Sequence, residues 1–212
     1  MKINAVCVGI PQIVQVGNEG FVTTSIFKHA VEGQIKVNEF NLEGDAQADL
    51  TVHGGWSKAV YVYPFEHYAF WSKELPETQL EYGNFGENLT TEGLLETGIF
   101  IGDRLRIGSA EFVVTEPRMP CYKLGIRFGR KDILRRFLQS RRSGFYLAVT
   151  KTGEIAVNDA IEMVSRDENK VSVTDIVRIY VEDKDDIRTM RRALRIDVLP
   201  DGWKDAFKSR LN

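Results

Sequence analysis

The sequence predicts a mainly β chain with helices, in which a barrel-like sheet over residues 1–168 is followed by a small three-helix unit over 169–212. Three observations predict it. Up to about residue 166, short runs of β-branched and aromatic residues alternate with glycine and asparagine turns. Several of those runs also alternate apolar with polar residues, as half-buried strands do. Past about residue 169 the apolar period changes from two to that of a helix.

In chain order, the clearest strands are 3–8, 34–40, 58–63, 104–107, 111–115, 145–150 and 160–165. Two helices interrupt them. Pro64 can open the first, with Phe65, Tyr68 and Trp71 along one side, and Ile133, Leu134, Phe137 and Leu138 form the apolar stripe of the second. In the tail, Ser172-Val173-Thr174-Asp175 has the form of a capping box ahead of Ile176, Val177, Tyr180 and Val181. Ile187, Met190 and Leu194 mark the next helix, and Pro200 opens the last, which carries Trp203 and Phe207 at i, i+4. Helices this short are marginal alone, so the three are expected to pack together or against the sheet.

With 28 basic and 30 acidic residues the net charge is -2, which speaks against bulk nucleic-acid binding or attachment to an anionic membrane. No apolar run approaches the roughly 20 residues needed to span a bilayer. The chain is expected to be soluble and cytoplasmic. Its two cysteines, Cys7 and Cys121, are too few for a disulfide scaffold, an ordinary iron–sulfur cluster or an all-cysteine zinc site. His29, His53 and His67 lack zinc-motif spacings. Cys7, between Val6 and Val8, reads as inert core.

Cys121 is different. It lies in Pro117-Arg118-Met119-Pro120-Cys121-Tyr122-Lys123-Leu124, where two prolines stiffen the backbone and two cations can stabilise a thiolate. Taken alone, a lone cysteine in a proline-kinked loop reads first as a small buried hydrophobe, and the rest of the chain shifts that reading. The segment from Gly44 to Gly55 gathers Asp45, Gln47, Asp49 and His53 before the Gly54-Gly55 pair, the make-up of a polar site or of an Asp-rich turn. Cys121 and His53 also have the chemistry of a nucleophilic pair, although sequence does not place them within reach. Gly83 to Leu94 is glycine-rich without phosphate-loop spacing. Arg127, Arg130, Lys131, Arg135, Arg136, Arg141 and Arg142 surround the single acid Asp132, which suits either a solvated helix face or a docking surface for an anionic partner.

Four motifs in order, Gly44-Asp45-x-Gln47-x-Asp49-x-x-x-His53-Gly54-Gly55, Gly83-x-Phe85-Gly86-Glu87-Asn88-Leu89, Ile101-Gly102-Asp103 and Pro117-Arg118-x-Pro120-Cys121-x-Lys123-Leu124, resemble the MOSC domain family, in the YiiM-like branch that carries a three-helix domain after the barrel. The resemblance implies a MOSC-type β-barrel and binding of the molybdenum cofactor, a molybdopterin, with Cys121 as the protein's ligand to molybdenum. A soft thiolate suits that metal beside the cofactor's own sulfurs. It further implies Arg118, Lys123, Gly54, Gly55, Asn88 and Lys58 as cofactor contacts, with Asp45, Asp49 and His53 in positioning or proton delivery. The implied activity is reduction of N-hydroxylated compounds, such as hydroxylaminopurines and amidoximes, to the amine or amidine. A separate flavin or iron–sulfur protein would then supply electrons. A non-catalytic carrier of the cofactor, or of sulfur as a Cys121 persulfide, is the competing expectation. The sequence departs from the family's usual pattern at Ala148, where an arginine is common, and at Asn158, where a glycine is common.

Overall fold

Alternating apolar residues in Ile3-Asn4-Ala5-Val6-Cys7-Val8 bury one face of the first strand, β1 (Lys2–Val8), and the sheet grows from it. The computed structural model describes residues 1–17, 20–48 and 54–211. Strands β2 (Gln12–Gln15) and β3 (Phe21–Thr24) form a separate hairpin. Then come β4 (His29–Val31), β5 (Ile35–Val37), β6 (Val60–Pro64), β7 (Leu89–Glu92), β8 (Arg104–Ile107), β9 (Ala110–Pro117), β10 (Phe145–Lys151), β11 (Gly153–Ile155) and β12 (Ile161–Ser165). The main sheet runs β12-β8-β9-β10-β6-β7-β1-β4. A bridge between Lys2 and Ala160, with Ile3 N donating to Asp159 O at 3.1 Å, joins β1 to the segment that enters β12 and closes the sheet into a barrel-like ring.

Every pairing in that sheet is antiparallel except β6 with β7, which are parallel. Parallel neighbours need a crossover, and helix α1 (Glu66–Glu74) supplies it. Helices α2 (Tyr122–Phe128) and α3 (Ile133–Ser140) fill the connection from β9 to β10. Gly144 makes the tight entry into β10 possible. Its φ is 62°, and a Cβ there would strike the Val62 carbonyl and the Tyr61 and Tyr63 rings.

The tail folds as α4 (Val173–Val181), α5 (Ile187–Ala193) and α6 (Asp201–Leu211). Ser172 caps α4 reciprocally with Asp175, the Asp175 N–H reaching Ser172 Oγ at 3.0 Å and the Ser172 N–H reaching Asp175 Oδ2 at 3.1 Å. These helices share one core with the strands, since Val173, Ile176, Met190 and Phe207 pack in the same buried cluster as Ile3, Leu105 and Phe112. Each such side chain contributes about 1.5–3 kcal/mol on burial, which is what makes helices of this length persist. A second, aromatic core of Tyr61, Tyr63, Tyr68, Trp71, Phe85 and Phe137 lies under α1 and α3.

Several expectations are corrected. Pro64 ends β6 instead of opening α1, and Phe65 is exposed while His67 joins Tyr68 and Trp71 in the buried face. Residue 58 belongs to a 3-10 turn, Trp56–Lys58, and the expected strand 34–40 is strand only over Ile35–Val37. A third helix, α2, begins directly after Cys121. Asn158 has φ 71°, a left-handed turn that asparagine tolerates where glycine is common. Ala148 is buried opposite Val113. No described helix is long and apolar enough to cross a membrane.

Candidate functional site

Strand β9 is buried through its last residue, and Pro117 and Pro120 then steer four residues across the open end of the sheet. Cys121 is the N-cap residue of α2, with extended backbone (φ -118°, ψ 169°), and is half-buried. Leu124, one turn on, is fully buried in the aromatic core and anchors the helix. Gly129, at φ 63°, closes it by donating to the carbonyls of Gly125 and Ile126.

Two hollows meet at Cys121. One is a narrow chamber of about 100 Å³ that reaches inward to Ser25, Lys28, Asp45, Tyr61, Asn88, Arg118 and Lys123. The other is a wider hollow of about 540 Å³, walled by Gly54, Ser57 and Glu116 on the barrel side and by Tyr180, Pro200, Gly202 and Trp203 of the tail. Lys58, Met119, Cys121 and Tyr146 line both.

The narrow chamber is cationic. Among the described residues, Lys28, Lys58, Arg118 and Lys123 line it against one carboxylate, Asp45. Burial pulls the Lys28 ammonium below the usual lysine range, opposed by its ion pair with Asp45. Asp45 also accepts from Gly9 N at 2.9 Å and from Asn88 Nδ2 at 2.9 Å, so its carboxylate braces β1 and the chamber wall. Arg118 is 5% exposed, and its guanidinium lies 5.1 Å from the Phe137 ring centroid and 5.3 Å from that of Tyr61. Its buried Nη1 has no hydrogen-bond partner among the described residues. A buried guanidinium with a free donor is costly to the fold unless a ligand takes it up. Tyr146 stands beside it, and burial pushes its phenol up to about 12, with the Arg118 charge opposing. Tyr146 therefore keeps its proton at neutral pH and can donate into the cleft.

The structure thus brings Cys121, Arg118, Lys123, Lys58, Asp45 and Asn88 to one chamber and Gly54 to the adjoining wider hollow. Asn88 also braces the fold. Its Oδ1 accepts from Tyr61 N at 3.0 Å, and its Nδ2 donates to Cys7 O and Asp45 Oδ2, so the amide brackets three segments of the fold. Gly55 is exposed, at φ 92° ahead of the 3-10 turn, and lines neither hollow. Asp49 and His53 lie outside the described residues. Cys7 is fully buried, and desolvation raises its thiol well above the usual range.

Sequence reasoning missed Lys28, Tyr61, Tyr146 and Glu116. The signal for Glu116 was its place beside Pro117-Arg118; the others looked like ordinary strand residues. Glu116 is 5% exposed and accepts from Ser57 Oγ at 3.0 Å and from the Trp203 indole at 2.9 Å, tying the tail to the barrel at the hollow.

Three of the basic residues in the stretch are engaged by acids. Arg130 and Arg136 share Asp132, Arg136 also meets Glu74 at 3.0 Å, and Arg141 pairs with Glu182. Arg142 instead lies over the Phe70 ring, 3.8 Å from its centroid.

The aromatic core beneath the chamber makes a pH prediction. Burial raises the phenols of Tyr61, Tyr63 and Tyr68 above the usual range, as it does that of Tyr146. Unfolded, each ionises near pH 10; folded, each holds its proton. The unfolded state therefore binds fewer protons above pH 10, and stability, fully present below that pH, falls as pH rises. Four phenols at about 1.4 kcal/mol per pH unit lower it by roughly 5 kcal/mol between pH 9 and 11. Urea unfolding at the two pH values checks this, and equal stabilities would contradict the burial assigned to these rings.

Comparison with known proteins matches two family models to the chain. Residues 49–162 match the MOSC domain model, and residues 171–212 match that of the YiiM-like, 3-alpha helix domain. YflK of Bacillus subtilis is 37% identical over 95% of this chain and 90% of its own length. A protein named reductase from Gibberella moniliformis is 35% identical over 76% of this chain, a match that covers 29% of that protein. The crystal structure of YiiM from Geobacillus stearothermophilus superposes with a TM-score of 0.83 at 29% identity, over 100% of this chain and 99% of that one.

Proposed function

The chain belongs to the MOSC family, with a YiiM-like three-helix domain at its C-terminal end, and on that premise we propose that it is an oxidoreductase that reduces N-hydroxylated compounds with a molybdenum cofactor held around Cys121. The observation that carries the proposal is the buried Arg118 guanidinium, whose Nη1 has no partner among the described residues, in a cationic chamber that opens onto a half-buried cysteine. A molybdopterin carries an anionic phosphate, and its molybdenum accepts a soft thiolate beside the dithiolene sulfurs, so this donor set fits both ends of the cofactor. The name of the fungal relative supports the reaction class.

Arg118, Lys58 and Lys123 would hold the anionic group, and Cys121 would offer its sulfur to the metal. When bound, the cofactor supplies the two-electron chemistry of N–O cleavage: R–NH–OH + 2 H⁺ + 2 e⁻ gives R–NH₂ + H₂O. Tyr146, protonated at neutral pH, donates a hydrogen bond at the mouth of the chamber and helps orient what binds there. Asp45 and Asn88 keep the chamber wall in register. A separate flavin or iron–sulfur protein brings the electrons. Cys7 and Cys121 are both reduced, which suits the reducing cytoplasm.

The test is turnover of benzamidoxime with a chemically reduced viologen as electron source. The expected result is benzamidine formation by the cofactor-loaded protein. Cofactor-loaded protein that converts neither benzamidoxime nor a hydroxylaminopurine would refute the reductase and leave a carrier.

A further inference from the structure

The wider hollow has a feature that cofactor binding does not use: one of its walls is built by the tail. Tyr180 of α4 and Trp203 of α6 meet there edge to face, with ring centroids 4.9 Å apart at 69°. Both rings are held in place. The Trp203 indole donates to Glu116, while Arg210 lies 5.3 Å from the Tyr180 ring and is itself fixed by donating to the carbonyls of Ile179 and Tyr180. Space is left in front of them, because a Cβ on Gly202 would meet nothing within 4 Å.

Glu116 completes the wall. Each of its oxygens accepts one hydrogen bond from the protein, from Ser57 and from Trp203, and a carboxylate can accept about four. The remaining acceptor capacity belongs to a buried carboxylate that lines the same hollow as Cys121. Its two protein donors fix its orientation, so a substrate N–H arriving there meets an acceptor already in place.

Resting on the reductase reading, the geometry points to Glu116, Tyr180 and Trp203 as the residues that select the substrate. Glu116 accepts an N–H of the N-hydroxylated head, and the ring pair packs against a flat aromatic or heteroaromatic body. The head then lies on the Cys121 side of the hollow and the body on the tail side. In this account the three-helix domain is the specificity wall of the site, and a family member with a different tail would prefer substrates of a different shape.

Two ligands separate the two parts of the wall. Benzamidoxime and acetamidoxime share the N-hydroxylated head, and only the first has a ring. Isothermal titration of both into the purified protein should show benzamidoxime binding at least about tenfold tighter. Tyr180→Ala, at a side chain already 36% exposed, should weaken benzamidoxime about fivefold and leave acetamidoxime unchanged. Glu116→Gln should weaken both by about tenfold, since it removes the charge that the shared head meets. Steady-state kinetics should show the Tyr180→Ala effect in KM for benzamidoxime, with kcat for acetamidoxime preserved. Equal effects of Tyr180→Ala on the two ligands, no effect on either, or wild-type binding by Glu116→Gln would overturn the assignment. If Glu116→Gln fails to fold, the Tyr180→Ala comparison decides alone. Selective binding without turnover would sink the reductase reading and keep the wall; turnover with no ring preference would do the reverse.

Discussion

Cys121→Ser is expected to lower reduction of an N-hydroxylated substrate by about a hundredfold or more while leaving the melting temperature unchanged or slightly higher. The two halves of that expectation come from one position. As N-cap of α2, residue 121 is where serine is among the most favoured side chains, and its half-exposed site demands no apolar packing. As metal ligand, however, a hydroxyl replaces a soft thiolate. Cys7→Ser should do the opposite, placing a hydroxyl in a fully buried strand position and costing about 1–3 kcal/mol of stability, with the activity of the folded fraction retained. Thermal melts alongside specific activity measure both. Comparable activity losses in the two variants would mean that the cleft around Cys121 is not the reaction site.

Arg118→Met should separate stability from cofactor loading. Methionine keeps an unbranched stem between Tyr61 and Phe137 but removes a buried charge whose Nη1 lacks a partner among the described residues. Removing an incompletely hydrogen-bonded buried charge relieves its desolvation cost, so stability should be unchanged or higher. The same change removes the most deeply buried cation facing the ligand, so cofactor content should fall about tenfold or more. Denaturant midpoints and cofactor content of the purified variant give both numbers. A destabilised variant with full cofactor would show that the guanidinium serves the aromatic core instead of a ligand.

Local signals made some of the molecule legible from sequence. The capping box at Ser172, the Trp203–Phe207 spacing and the strand 104–107 are set by neighbours within one turn or one hairpin, and each element stands where expected. Helix α2 was not legible. Its seven residues include Gly125, which costs about 1 kcal/mol in a helix interior, and burial of Leu124 in a core assembled from distant segments is what holds it. The short strands β2, β3, β4, β7 and β11 carried too little pattern to separate from turns.

The candidate site divides the same way. Cys121, Arg118 and Lys123 announce themselves in one stretch of proline and cations. Tyr61 and Tyr146 reach the chamber only because β10 pairs with β6, a neighbour relation that the order of strands along the chain conceals. Glu116 meets Trp203 across 87 residues. The arginine run was visible as charge, but two of its acid partners, Glu74 and Glu182, lie far away in sequence, so the pairing of Arg136 and Arg141 could not be read from the run itself.

The central claim is that the cleft around Cys121 holds a molybdenum cofactor. Metal analysis and pterin fluorescence of the protein, purified from a host that makes the cofactor, test it most directly when measured beside Cys121→Ser. The account predicts molybdenum and pterin near one per chain in the natural protein and a molybdenum content at least about tenfold lower in the variant. Natural protein that is folded yet carries neither molybdenum nor pterin would contradict it.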